Sequence, residues 1–271
     1  MTFDSRERSI ATGKPVRLYY FQRGALSWAY TGADREIASG TITYAPRAIS
    51  DNGIRQSGQT SADALEITGP ATLEVAQLFR GVAPSDEIGI TIRDIHYGET
   101  DSVVGYVGSI QSVRFPAEDR AQIVCQSLAT SLETPGLRLA WMRNCTYALG
   151  DKNCQVDMEP RGVAGTVASM DGATVSASAW AAYPDGWFAG GYVQWPLGSG
   201  VYERRAVETH AGLVLGLVGG TGGINLNQAL TAYPGCERTA QVCKDKFNNL
   251  LRYGGVPGLP GRSPFDGNPV F

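Results

Sequence analysis

Charged side chains are scarce in this 271-residue chain, at 18%, and it has only two histidines and five cysteines. So little charge beside 34 glycines argues against long solvated helices, and an all-α fold is not expected. Basic residues are not in excess either. A net charge of −3 supplies no positive field to neutralise phosphates, which speaks against sequence-specific nucleic-acid binding. No apolar run approaches the roughly 20 residues that span a bilayer, and residues 1–15 carry charges where a secretion signal needs an apolar core. The product is therefore expected to be made soluble in the cytoplasm, without stable membrane insertion.

The shortage of histidine also limits acid–base chemistry. His96 falls in an expected strand two residues after Asp94, which sets both on one face. Ser109 and Ser112 follow, but neither sits in a nucleophile-elbow sequence. His210 precedes Ala211 and Gly212 in an expected hairpin turn. Both histidines read as ordinary packed or surface residues, and the chain is expected not to be an enzyme. Gly219, Gly220, Gly222 and Gly223 would suit a phosphate loop only if a lysine followed by serine or threonine came next; none does, so they read as a plain loop.

What is present is β pattern. Alternating or β-branched stretches mark strands at 16–21, 41–44, 64–68, 89–97, 102–115 and 121–128. One helix is expected over 71–80, with Pro70 at its first turn. These make a β-rich first domain, 1–138. The second domain, 139–271, opens on a turn-rich connector, 141–160. A small barrel-like β-unit follows over about 165–219, with strands at 174–178, 191–195, 202–208 and 212–218. A helical turn region, 237–252, leads to an irregular tail, 254–271, with four prolines and five glycines. The fold class is thus mainly β with a few short helices. The aromatic series Trp180, Tyr183, Trp187, Phe188, Tyr192 and Trp195 serves either as a sugar-stacking platform or, by its alternation, as barrel core or subunit interface.

Four of the cysteines form two close pairs. Eight residues lie between Cys145 and Cys154 and six between Cys236 and Cys243, with the second β-unit between the pairs. Two close pairs flanking a folded module are a way to bring four thiols together. The gaps are not those of ordinary zinc fingers or of bacterial ferredoxins. The residues alone leave three readings open: a four-thiolate zinc or iron–sulfur site, two disulfides, or unrelated cysteines. Cys125 stands apart inside an alternating strand and reads as core.

Residues 141–158, WMRNCTYALGDKNCQVDM, and 233–255, YPGCERTAQVCKDKFNNLLRYGG, resemble the signature of the BR0599 family of conserved phage tail proteins, found in prophages and gene transfer agents. The most specific run is Cys236, Cys243, Phe247, Asn248, Asn249, Arg252, Tyr253 and Gly254. The paired cysteines are also similar to the C-terminal pattern of the lambda tail tip protein L, whose relatives hold a four-iron, four-sulfur cluster. The resemblance implies a structural baseplate hub subunit at the virion tail tip. It implies a cluster ligated by Cys145, Cys154, Cys236 and Cys243, with zinc as the alternative metal and Cys125 outside the site. It further implies a homotrimer closing the tail tube, with a distal tail protein, a central tip or receptor-binding protein and a tape measure protein as partners. A tail-associated cell-wall-degrading or carbohydrate-binding protein is the alternative function.

Overall fold

The structure is a computed structural model and describes residues 3–11, 13–55, 64–132, 136 and 140–259. The chain is mainly β and divides into two compact units: Met1–Thr134 with Pro196–Glu203, and Pro135–Trp195 with Arg204–Phe271. Among the described residues, no helix is long and apolar enough to cross a membrane. The expected boundary at 138/139 and the tail from residue 260 onward lie outside the described residues.

In the first unit a short helix, α1 (Phe3–Glu7), precedes nine strands: β1 (Pro15–Arg23), β2 (Leu26–Thr31), β3 (Ile37–Ser39), β4 (Ile42–Pro46), β5 (Ser50–Asp51), β6 (Leu65–Pro70), β7 (Gly89–His96), β8 (Ser102–Ala117) and β9 (Arg120–Ser127). Two more short helices, α2 (Glu74–Gln77) and α3 (Leu128–Leu132), complete it. The strands form one sheet in the order β3-β4-β2-β1-β7-β8-β9-β6-β5. Pairing is antiparallel except between β2 and β4. Both faces are covered. On β1, Tyr19 and Phe21 join the larger core with Ile67, Ile92 and Ile123, while Leu18 turns to the opposite face with Ile37, Tyr44 and Ile95. Burying such apolar side chains contributes roughly 1.5–3 kcal/mol each.

The helix expected over 71–80 shrinks to the single turn α2. Pro70 does not open a helix; it closes β6, opposite Arg120. The Ala71 N–H donates to Asp119 O across that junction, at 2.8 Å. Leu73, Val75 and Ala76 are all buried, so the segment is laid down as a plug over the sheet rather than as a helix with one wet face. Strand β2 was not legible as alternation, because Tyr30 and Thr31 are buried in succession. It exists because the two-residue turn after β1, with Gly24 at φ +56°, registers Arg23 against Leu26.

The second sheet, which belongs to the second unit apart from the adjoining ends of β13 and β14, contains seven strands where the sequence marks out four, over a longer span than 165–219. They are β10 (Val163–Thr166), β11 (Ser169–Asp171), β12 (Thr174–Ser176), β13 (Tyr192–Gly198), β14 (Val201–Ala211), β15 (Val214–Leu217) and β16 (Ala229–Tyr233). The unexpected β10, β11 and β16 are rich in Ala, Gly and Ser, which carry little β signal. Sheet order is β10-β16-β13-β14-β15-β12-β11. The two edge strands, β10 and β11, are consecutive in the chain and joined only by Val167 and Ala168. The sheet must therefore curl until its edges lie a short loop apart. Strands β10 and β16 are antiparallel neighbours with Val163 opposite Ala232, so the chain enters and leaves this sheet at one end.

Charge in the first unit is concentrated where β1, β5 and β7 meet, in a cleft of about 460 Å³. Arg17 donates to both oxygens of Asp51, at 2.7 and 2.9 Å, and to Asp94 at 2.8 Å. Asp51 also accepts from the Tyr19 hydroxyl at 2.6 Å and from the Gly53 N–H at 2.9 Å. Burial would raise the Asp51 carboxyl, but these donors together hold it below the ordinary carboxylate range. Burial first, then the bond to Asp51, pushes the Tyr19 phenol up. A carboxylate with a depressed folded pKa adds stability above its unfolded pKa and loses it as pH falls through the folded value. Acidification below about pH 4 is thus expected to lower the protection against hydrogen exchange, measured relative to the intrinsic rate, in β1 and β6. Asp51→Asn should exchange faster at neutral pH and change less on acidification, as followed by mass spectrometry of those strands.

Candidate functional site

The chain between residues 140 and 158 contains no regular strand, and its turns are held by one carboxylate. Asp151 accepts from the N–H groups of Cys154 at 2.6 Å, Asn153 at 2.9 Å and Ala148 at 3.2 Å. Those bonds, the one from Cys154 first, hold its carboxyl below the usual range. Gly150 and Gln155 adopt positive φ on either side of Cys154. On the other side of the sheet's entry point, Cys236 precedes helix α4 (Ala240–Asp245), which carries Cys243 and is capped by the Thr239 hydroxyl accepting from Val242 N–H at 3.2 Å. A single 3-10 turn, Leu250–Arg252, follows.

These two segments meet. The Cys145 N–H donates to Arg238 O at 2.8 Å, and Val256 N–H to Met142 O at 2.8 Å. The Tyr253 hydroxyl lies 2.7 Å from Arg143 O and 3.1 Å from Arg238 O. Cys154 and Cys236 pack in one small cluster with Val156 and Phe247. The Cys243 thiol is raised by burial and then by the nearby charges of Cys236, Cys145 and Cys154. All five cysteines are free thiols. Among the described residues, no three His, Cys, Asp or Glu side chains close to the spacing that a single metal ion requires.

Several N–H groups face the sulfurs. Arg238, held at φ +60°, points its N–H at Cys236 Sγ (3.4 Å), and Gly254 points its N–H at Cys145 Sγ (3.3 Å). Asn249 Nδ2 lies 3.8 Å from Cys154 Sγ. Lys246 adds positive charge near Cys236; its ammonium is lowered by burial, donates to Trp187 O at 2.5 Å and stands 4.4 Å from the Trp187 ring centroid. Beside the site, a cleft of about 410 Å³ is bordered by Gln155, Asp157, Arg161, Phe247 and Asn249.

The remaining candidates are occupied by packing. Cys125 is fully buried in β9, its thiol pushed up to about 12 by burial. His96 Nδ1 accepts from the Lys14 N–H at 3.0 Å and its Nε2 lies 3.0 Å from Glu7, while Asp94 is engaged with Arg17. Ser109 accepts from Gln126. His210 is buried edge-on to Phe188 and its Nε2 contacts Gly212 O in the hairpin. Trp180, Phe188 and Trp195 are core, and Tyr192 stacks on Tyr233, so the aromatic series does not present one platform. The glycine loop lends its Gly220 carbonyl to Arg205.

Sequence reasoning did not single out Asp151 or Lys246. The DKNC run, in which an aspartate precedes a cysteine by three residues, was a readable signal for a turn capped on its own backbone. The paired glycines have a spatial reason. A Cβ on Gly254 would meet the Tyr147 ring at 2.5 Å, and one on Gly255 would meet Arg143 O at 2.5 Å. Gly254→Ala is expected to destabilise the second unit by about 1–3 kcal/mol through overpacking. Gly254→Ala with Tyr147→Ala should recover part of that loss in thermal unfolding, whereas strictly additive losses would count against the contact.

Two family models match the chain. Residues 21–157 match the baseplate hub protein, N-terminal attachment domain, and residues 186–263 match phage conserved hypothetical protein BR0599. The first match contains Cys145 and Cys154, the second Cys236 and Cys243. An uncharacterized protein of Xylella fastidiosa (strain 9a5c) is 26% identical over 186 residues, which are 63% of this chain and 38% of that protein. The chain thus spans well under half the length of that relative. A chain from the virion of a native gene transfer agent particle superposes with a TM-score of 0.82 at 19% identity, covering 98% of this chain and 94% of its own. At that identity the likeness is one of fold. With half of its length matched by the attachment-domain model, the chain belongs to the baseplate hub protein family, a component of the virion tail.

Proposed function

We propose that this chain is a structural subunit of the tail tip that works as a homotrimeric ring closing the tail tube and joining it to the tip complex. In the same reading, Cys145, Cys154, Cys236 and Cys243 hold a four-iron, four-sulfur cluster. The observation that carries it is the meeting of the two cysteine segments, with N–H groups directed at the sulfurs. Four mutually repelling thiolates need a cation among them, and soft sulfur donors suit iron–sulfur clusters and zinc. When bound, a cluster would supply a rigid four-point crosslink. The chain's own part is to present four sulfurs from two turns, exclude water with Val156 and Phe247, and offer N–H groups to the thiolates.

The ring is expected to contact a distal tail protein on one side and a central tip or receptor-binding protein on the other, with a tape measure protein nearby. A structural rather than enzymatic role is supported by both histidines being engaged in packing. A wall-degrading role would need a convergent acid, base or metal-water group.

Anaerobically purified protein is expected to contain iron and sulfide with broad visible absorbance. Cys236→Ser should lose most of it and Cys125→Ala should retain it. Folded wild-type protein without metal, or with one zinc per chain, would overturn the cluster. Virions with a single copy of the chain per tail tip would overturn the ring.

A further inference from the structure

Within the second unit, one residue touches both cysteine pairs, with its backbone on one and its side chain on the other. The Asn249 N–H donates to Cys243 O at 2.9 Å, and the Cys243 thiol lies 3.3 Å from Asn249 O. Its carboxamide reaches the other pair: Nδ2 donates to Cys154 O at 2.6 Å and lies 3.8 Å from Cys154 Sγ. The preceding Asn248 adopts φ +50°, which turns the backbone out of the helical course after α4 and places Asn249 between the pairs.

A carboxamide suits this position for a chemical reason. Its NH₂ carries two donors, one for the Cys154 carbonyl and one for the sulfur, and it brings no charge. Aspartate has the same shape but offers only acceptors and adds a negative charge to a site already crowded with thiolates. Alanine leaves the Cys154 carbonyl without this donor. Partners that orient metal ligands are worth about 10–100-fold in metal affinity, and hydrogen bonds to ligating sulfurs help set reduction potential.

We infer that Asn249 is a positioning residue that fixes Cys154 against Cys243 and, through its Nδ2, tunes the electron density on the Cys154 sulfur. The inference rests on the metal-site reading above, and the experiment separates the two. Wild type, Asn249→Asp and Asn249→Ala are purified anaerobically as full chains. Metal content, release of metal to a chelator, and the oxidised-to-reduced ratio at a fixed solution potential are then compared. Hydrogen exchange in β13 and β14 reports whether the sheet is intact.

With the sheet intact, both variants are expected to release metal about tenfold faster. Asn249→Asp should also shift the ratio about tenfold toward the oxidised form, a change that loss of packing alone would not produce. If wild type holds metal and neither variant changes release or ratio, the role of Asn249 is overturned while the metal site stands. If wild type holds no metal, the metal-site reading fails and the positioning role is judged by alkylation of the free thiols. A roughly tenfold rise in the rate at Cys154 relative to Cys145 in Asn249→Ala would support it, and an unchanged ratio would overturn it. If Asn249→Ala disturbs the sheet, the nearly isosteric Asn249→Asp decides alone.

Discussion

The second unit depends on the pairing of its first and last strands. Because β10 and β16 are antiparallel neighbours, with Val163 opposite Ala232, the segments before and after the sheet emerge side by side. Cysteines about ninety residues apart in sequence therefore become neighbours without a long connecting arm. The cost of closing so long a loop is met by the seven-stranded sheet and its Trp180, Phe188 and Trp195 core, not by the cysteine turns themselves. The turns add local ties: Cys145 N–H to Arg238 O, the Tyr253 hydroxyl at Arg143 O, and the close passage of Gly254 over Tyr147.

Backbone geometry around the thiols is unusual. Gln155, Arg238 and Asn248 are non-glycine residues at positive φ, and each adjoins a cysteine segment. Strain of this kind persists only where the surroundings fix it, and it tends to collect at sites with a task. At Arg238 the result is visible, since the left-handed turn aims its N–H at Cys236 Sγ. The two family matches divide the site between them, one holding the first cysteine pair and the other the second. Neither stretch holds all four of the paired cysteines.

The first unit solves a different problem. A nine-stranded sheet with apolar side chains on both faces leaves few places for charge, and Arg17, Asp51, Asp94 and Tyr19 share one of them. Within the same unit, in the stretch 196–203 that groups with it, Glu203 is buried with Arg23, 2.7 Å away, while also accepting from Ser85 N–H. Removing one partner of such a pair leaves an uncompensated buried charge, so the pair specifies an arrangement more than it adds net stability.

The sequence by itself determined the β character, most strands of the first unit, the helical turn before Arg252, and the place of Cys125 in a strand's core face. Those features follow from local alternation, turn residues and spacing, which act over a few residues. Tertiary structure decided what alternation cannot carry. Pro70 became a strand end because β9 lies beside it, and the segment after it became a one-turn plug because Leu73, Val75 and Ala76 all found core. Strands β10, β11 and β16, poor in β-branched residues, exist because their neighbours supply hydrogen-bond partners. The roles of Asp151, Lys246 and Gly254 were likewise fixed by what the fold brings against them, since a carboxylate, an ammonium or a missing Cβ has meaning only beside its partner.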